Sequence, residues 1–269
     1  MKSYDAAREH ADLDSEIERL GAQLALSWPK ELRALKAFGL DDAMTIVDLG
    51  CGPGHSLAKL RIEFAESRLI GVELDSDLCA AAMVRLKGHP RVTLINRSAL
   101  DTGLAASSAD FVIARLLFQH LADPIGAAKE ALRILRPGGA LVVIDVDQSI
   151  WGLADPRVPE LESVMRRYAA LNAAAGRDRS IGRKLWRILT VAGFGDVQSN
   201  AALVHSDEVG LKSFASQLDL GRLTHLGEEG VVSAAELESA RDARDRFLAS
   251  PDSIMMTLNL LVCGRKPRA

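Results

Sequence analysis

Between residues 44 and 148 the chain alternates short apolar runs with stretches of helical spacing, and that pattern leaves few folds open. "MTIVDLG", "RLIGVEL", "RVTLIN", "ADFVIA" and "ALVVIDV" read as strands. "HSLAKLRIEFA" and "DSDLCAAAMVRL" between them read as helices, with Leu57, Leu60 and Phe64 on one face of the first and an Asp/Ser cap opening the second. "ADPIGAAKEALRILRPGG" is the clearest helix: Asp123 caps it and Pro124 sits in its first turn. Ile125, Ala128, Leu132 and Leu135 line one face, and Pro137, Gly138 and Gly139 stop it. "ALVVIDV" is almost continuously apolar, as a strand buried on both faces must be, so the sheet is parallel and covered by helices. The expected fold class is α/β, a doubly wound, mostly parallel sheet with helices on both faces.

The flanks read differently. Residues 1–40 are expected to form a helical cap: Leu13, Ile17, Leu20 and Leu24 make a stripe at helical spacing, and Pro29 breaks the run before "KELRALKAF". The main domain is expected over 41–269, with helical cap insertions at about 151–192 and 207–250. "GDVQSNAALV" is open to a strand reading, Ser233 and Glu236 form a capping box, and "MMTLNLLVCGRK" closes the chain as a strand.

"IVDLGCGPGHSL" places Gly50, Gly52 and Gly54 directly after the first strand. Glycine costs folding entropy, so three in five positions need a reason: a tight turn, or a ligand that must approach the backbone. In an open parallel sheet ligands bind beyond the carboxyl ends of the strands, where this loop lies, and the following helix presents free N–H groups. Glu73 ends the second strand, nineteen residues past Gly54, where a carboxylate can accept hydrogen bonds from both ribose hydroxyls. The combination points to a cofactor containing a nucleoside. Dinucleotide loops are spaced G-x-G-x-x-G, whereas this one is G-x-G-x-G with Asp48 inside the strand.

Asp48-Leu49-Gly50-Cys51-Gly52-Pro53-Gly54 resembles motif I of the class I S-adenosylmethionine-dependent methyltransferases, an acid followed by x-G-x-G-x-G. The resemblance continues through "VEL", "DFVIARLLFQHLADP" and "LRPGGALVVID", in the family's order, over roughly residues 44–147. It implies a seven-stranded sheet with the last strand antiparallel, S-adenosyl-L-methionine as cofactor, and methyl transfer to a small organic acceptor. By position it implies that Gly50, Gly52 and Gly54 face the methionine part, that Asp48 and Cys51 belong to the same cofactor site, and that Glu73, with Leu74 beside it, binds the ribose. Ser98 stands where the family often has an acid for the adenine amine, and the Ala99 N–H is available to the ring. Arg115 is expected near the methionine carboxylate or the transferred methyl, with Gln119 and His120 on the next turn.

His120 is the candidate general base by residue type, although in the family the histidine of such a turn is often structural. Asp145 and Asp147 end the fifth strand near the same cleft. Trp28, Trp151 and Trp186 are candidate pocket walls or simple packing, and Tyr4 and Gln23 lie in helices that fold over the cofactor in relatives. The fourth strand ends "ARLL", without the Asn/Asp-Pro-Pro-aromatic or Pro-Cys motifs of nucleic-acid methylases, and the net charge is -3. Both disfavour nucleic acid. The basic stretch "GRDRSIGRKLWR" (176–187) reads as a solvated helix face. Cys51, Cys79 and Cys263 are odd in number and widely spaced, which argues against disulfides and a metal site and for the cytoplasm. No apolar run suits a membrane, and a homodimer stays open. The rival readings are a protein of this fold that binds the cofactor but is non-catalytic or repurposed, and an NAD-dependent oxidoreductase.

Overall fold

Strand β1 (Thr45–Leu49) sits at the centre of one sheet, between β2 (Arg68–Glu73) and β4 (Ala109–Arg115). The computed structural model describes residues 13–150, 152–223 and 225–268. The other strands are β3 (Val92–Asn96), β5 (Leu135–Asp145), β6 (Leu153–Asp155), β7 (Gly195–His205) and β8 (Ile254–Arg265). Their order is β3-β2-β1-β4-β5-β8-β6, with β7 also on β8. β1 to β5 pair in parallel, and β8 runs antiparallel to β5, β6 and β7.

The described sheet has eight strands where seven were expected. The extra one is the three-residue β6. Met256 pairs with both Leu153 and His205, and Cys263 with both Val142 and Gln198. β6 therefore lies on the same edge of β8 as β5 and prolongs it. β8 is long, twelve residues, so its first turns outrun β5 and leave an edge that the chain covers locally. β5 also starts earlier than the Pro-Gly-Gly stop suggested. Leu135 already pairs with Ala109, and the register slips before Phe111 meets Ala140.

The apolar strands have two buried faces. Val47, Leu49, Val112, Ala114, Leu141 and Val143 pack under α4 (Pro124–Ile134) and α6 (Leu185–Ala192). Ile46, Phe111, Ile113, Val142 and Ile144 pack under α1 (Leu13–Ala37) and α2 (His55–Glu63). Alternate residues of one strand thus serve opposite layers, as the pleat requires. Helix α3 (Ser76–Arg85) follows β2, and Asp75 caps it by accepting the Asp77 and Leu78 N–H groups at 2.9 and 3.2 Å.

Helix α1 runs through Pro29 without a break, contrary to the sequence expectation. Proline removes one i→i−4 bond, here the one to the Ala25 carbonyl. Ala25 and Pro29 are both exposed, so water can take that carbonyl, while Leu24, Trp28 and Leu35 hold the helix to the core.

Helices α5 (Pro159–Ala174) and α7 (Ala234–Ala249) build a separate apolar cluster with the turns between β7 and α7. Val164, Tyr168, Leu223, Leu226, Leu237 and Ala240 are at its centre. Ser233 and Glu236 open α7 with a complete capping box. A further cluster around Phe214, Phe247 and Met255 joins this layer to Leu26 of α1 and Val204 of β7.

Gly71, in mid-β2, faces the underside of the glycine loop. A Cβ there would come within 2.6 Å of Leu57 Cδ1, 2.7 Å of Leu94 Cδ2 and 2.8 Å of Cys51 Sγ. We expect Gly71→Ala to cost about 1–3 kcal/mol by overpacking, read as a lower denaturant midpoint at unchanged slope.

Candidate functional site

The β1–α2 loop lies where the sheet order reverses, with β2 on one side of β1 and β4 on the other. Gly50, Gly52 and Gly54 have φ of 67°, 53° and 79°, a region that side chains rarely adopt. Their surroundings separate their roles. A Cβ on Gly50 would meet Leu117 Cδ1 at 2.8 Å, and one on Gly54 would meet Ala82 and Leu86 at 3.1 Å. A Cβ on Gly52 would meet nothing within 4 Å. Only Gly52 turns its bare side to open space. Gly50 still borders the cleft, whereas Gly54 does not line it and serves the turn into α2.

The loop is pinned to β2. The Gly50 and Cys51 N–H groups donate to the Val72 carbonyl at 2.8 and 3.1 Å. Gly52 N–H donates to Glu73 Oε2 at 2.8 Å, and Asp75 N–H donates to Glu73 Oε1 at 2.8 Å. Each Glu73 oxygen keeps a lone pair for the cleft. Burial raises the Glu73 pKa, and the Asp75 and Gly52 N–H groups hold it down in part. Leu74, Ser98 and Ala99 line the same wall. The Ser98 hydroxyl accepts the Leu100 N–H at 3.1 Å, closing a local turn.

Asp48 is buried at the floor of the cleft, and its Oδ2 has no hydrogen-bond partner among the described residues. Burial pushes its pKa up to about 7, against the pull of Arg115. Arg115 borders the cleft, but its guanidinium is committed elsewhere. Its Nε donates to Glu31 Oε2 at 2.8 Å, and its Nη2 reaches Ser27 Oγ at 3.1 Å and Glu31 Oε1 at 3.2 Å. Asn259 of β8 also donates to Glu31, at 2.7 Å. This buried cluster ties α1 to β4 and β8 beside Asp48.

The other end of the cleft is formed by Leu116, Gln119, His120, Tyr168, Arg179 and Gln217. Leu116 has φ 53°, unusual for a bulky residue, held by its N–H bond to the Ile144 carbonyl at 2.7 Å. Burial, then Arg179, Arg177 and Arg19, push the His120 pKa down to about 3, so the ring is neutral at working pH. Asp145 does not line the cleft. It is buried beneath it, accepting the Gln119 and Val146 N–H groups at 3.1 and 2.9 Å. Asp147 pairs with Arg183 and Ser149. Trp28 is in the core and Trp186 is half-exposed on α6, so neither is a pocket wall. Tyr4 and Trp151 lie outside the described residues. Gln23 lines the cleft.

Residues 47–143 match the family model described as "Methyltransferase domain". The matched stretch spans β1 to most of β5, which supports the resemblance to the class I S-adenosylmethionine-dependent methyltransferases. A protein in transposon Tn4556 of Streptomyces fradiae, described as an uncharacterized 37.1 kDa protein, is 32% identical over 225 residues, covering 82% of this chain and 62% of that one. Trans-aconitate 2-methyltransferase of Azoarcus sp. (strain BH72) is 38% identical over 104 residues, 39% of this chain and 40% of that enzyme. The chain thus spans 62% and 40% of the length of these curated relatives. Among solved structures, phosphoethanolamine N-methyltransferase 2 of Haemonchus contortus, in complex with S-adenosylhomocysteine, superposes with a TM-score of 0.59 at 20% identity. It covers 89% of this chain and 53% of that one, a likeness of fold.

Sequence reasoning missed several cleft residues. His55 lines the cleft, its Nε2 within 2.8 Å of the Ile17 carbonyl, and Gly21 lets α1 rest on the ring: a Cβ there would be 2.8 Å from His55 Cε1. Arg19 comes from α1, and Tyr168, Arg179 and Gln217 from segments after β5. The basic stretch at 176–187 is a solvated face only in part, with Arg183 and Arg187 exposed. Arg179 turns into the cleft and Arg183 onto Asp147. Gly176 and Gly182, which break helical spacing inside that stretch, were the available signal. Among the described residues no cluster of three or more His, Cys, Asp or Glu is placed to hold a metal, and no helix is long and apolar enough to cross a membrane.

Proposed function

We propose that this chain transfers a methyl group from S-adenosyl-L-methionine to an O, N or C atom of a small organic acceptor. The observation that carries the reading is the open face of Gly52, bounded by Glu73 and by the unpartnered carboxylate oxygen of Asp48. These groups fit the cofactor. The free lone pairs of Glu73 can accept both ribose hydroxyls, and Asp48 can accept an ammonium N–H. Gly50, Cys51 and Gly52 supply close main chain, while Leu74, Ser98 and the Ala99 N–H border the place of the base. When bound, the cofactor supplies an electrophilic methyl on a sulfonium. The protein's task is then to align the acceptor and exclude water. Arg115 acts through Glu31 and Asp48 in this reading, not by direct contact with the cofactor. Gln119 and His120 border the acceptor end. A neutral imidazole with so low a pKa is a poor final home for a proton, so we assign His120 to orienting the acceptor by hydrogen bonding.

Relatives named trans-aconitate 2-methyltransferase support a small-molecule acceptor. We read α1 and the segments 151–192 and 207–250 as a cover over the cleft, and the cytoplasm as the site of action. Transfer of labelled methyl from S-adenosylmethionine into small acceptors tests the activity. Cofactor binding without transfer to any acceptor would instead favour the non-catalytic reading.

Asp48 also sets a pH dependence. Its folded pKa of about 7 means that an ammonium group meets a neutral carboxyl in acid and a carboxylate above neutrality. Affinity for S-adenosylhomocysteine is expected to fall as pH drops from about 7 to 5, by up to about tenfold per unit, and to level off above about 8. Asp48→Asn should flatten that profile in calorimetry.

A further inference from the structure

The acceptor end of the cleft holds a cation that has no matching carboxylate among the described residues. Arg179 Nη1 donates to Gln119 Oε1, and Nη2 donates to Gln148 Oε1 at 3.3 Å. Its Nε is buried and has no hydrogen-bond partner, and no carboxylate of the described residues lies within salt-bridge distance. The guanidinium lies 5.5 Å from the centre of the Tyr168 ring, within cation–π reach. Both partners are neutral glutamines, so they orient the fork without cancelling its charge. Asp145, which feels the Arg179 charge, lies below Gln119 and is itself biased toward its neutral form, its pKa pushed up to about 7 by burial. The neighbouring Arg177, Lys184 and Arg183 differ: Arg177 reaches Asn172 at 3.3 Å, Lys184 pairs with Asp178 at 2.6 Å, and Arg183 with Asp147. Gln217, across the cleft, is buried with its Oε1 unbonded.

We infer that Arg179 is a specificity-determining residue that seats an anionic oxygen group of the acceptor, so the acceptor is a carboxylate or phosphate compound. A partly buried guanidinium oriented by two glutamines beside an aromatic ring, with an unused N–H, suits a planar or tetrahedral oxyanion. The inference deepens the methyl-transfer reading and rests on it for the word acceptor. The anion site itself is a separate claim.

The test uses calorimetry on the full chain, with citrate, inorganic phosphate and glycerol as probes. S-adenosylhomocysteine is titrated first, into the wild type and into Arg179→Gln. Its failure to bind the wild type would overturn the proposed function and leave the anion titrations on the free protein to judge Arg179. Equal cofactor affinity in both forms, within about threefold, shows an intact cleft. Citrate or phosphate is then expected to bind saturably at millimolar concentration while glycerol does not. Arg179→Gln should weaken the anion by about tenfold or more, and Arg179→Lys by less for phosphate than for citrate. Citrate binding alone assigns a carboxylate, and phosphate binding alone a phosphate. Absence of saturable binding by both anions, or equal anion affinity in wild type and Arg179→Gln, overturns the inference.

Discussion

Gly52→Asp is expected to abolish binding of S-adenosylmethionine while leaving the fold in place. The new Cβ meets nothing within 4 Å, so the protein interior has no clash to relieve. The φ of 53° is one that aspartate tolerates better than most residues, and the strain is on the order of 1 kcal/mol. The side chain therefore projects into the space assigned to the ligand and adds a third carboxyl beside Glu73 and Asp48. Calorimetry should show at least about a hundredfold loss of affinity, with a melting midpoint shifted by only a few degrees. Unchanged affinity would mean that the open face of Gly52 is not the binding surface.

Glu73→Ala should give the second largest effect. In the proposed complex the carboxylate accepts two ribose hydroxyls, each a charged hydrogen bond contributing about 1.5–3 kcal/mol, so a loss of about a hundredfold or more is expected. The same oxygens hold the Gly52 and Asp75 N–H groups, so the loop also loosens. Stability should suffer less than affinity. Burial raises the Glu73 pKa, so ionised Glu73 is a desolvation burden that alanine removes. Glu73→Gln keeps one accepting oxygen and should fall between the two. Equal cofactor affinity in Glu73→Ala would remove the ribose assignment.

The sheet was legible in the sequence because each strand between 44 and 148 carries apolar residues on both faces, which few other architectures accept. Gly52 and Glu73 were legible for a related reason. A bare loop at one strand end and an acid at the next are local features, on adjacent strands and close in sequence. The acceptor end was not. Tyr168, Arg179 and Gln217 come together only because three segments distant in sequence return to one cleft, and helical spacing says nothing about which charged residue turns inward. Arginines at 179 and 183 look alike in sequence, yet one faces the cleft and the other meets Asp147. Pro29 misled because the proline rule counts the lost bond and not the solvent available to replace it. The eighth strand escaped because three residues on an edge carry no periodicity to read.

A crystal structure with S-adenosylhomocysteine tests the central claim most directly. The account predicts the ribose hydroxyls within hydrogen-bond distance of Glu73, the amino group toward Asp48 Oδ2, and the ligand passing over the bare side of Gly52. Density for the nucleoside at any other place on the protein, or a cleft left vacant at saturating ligand, would contradict it.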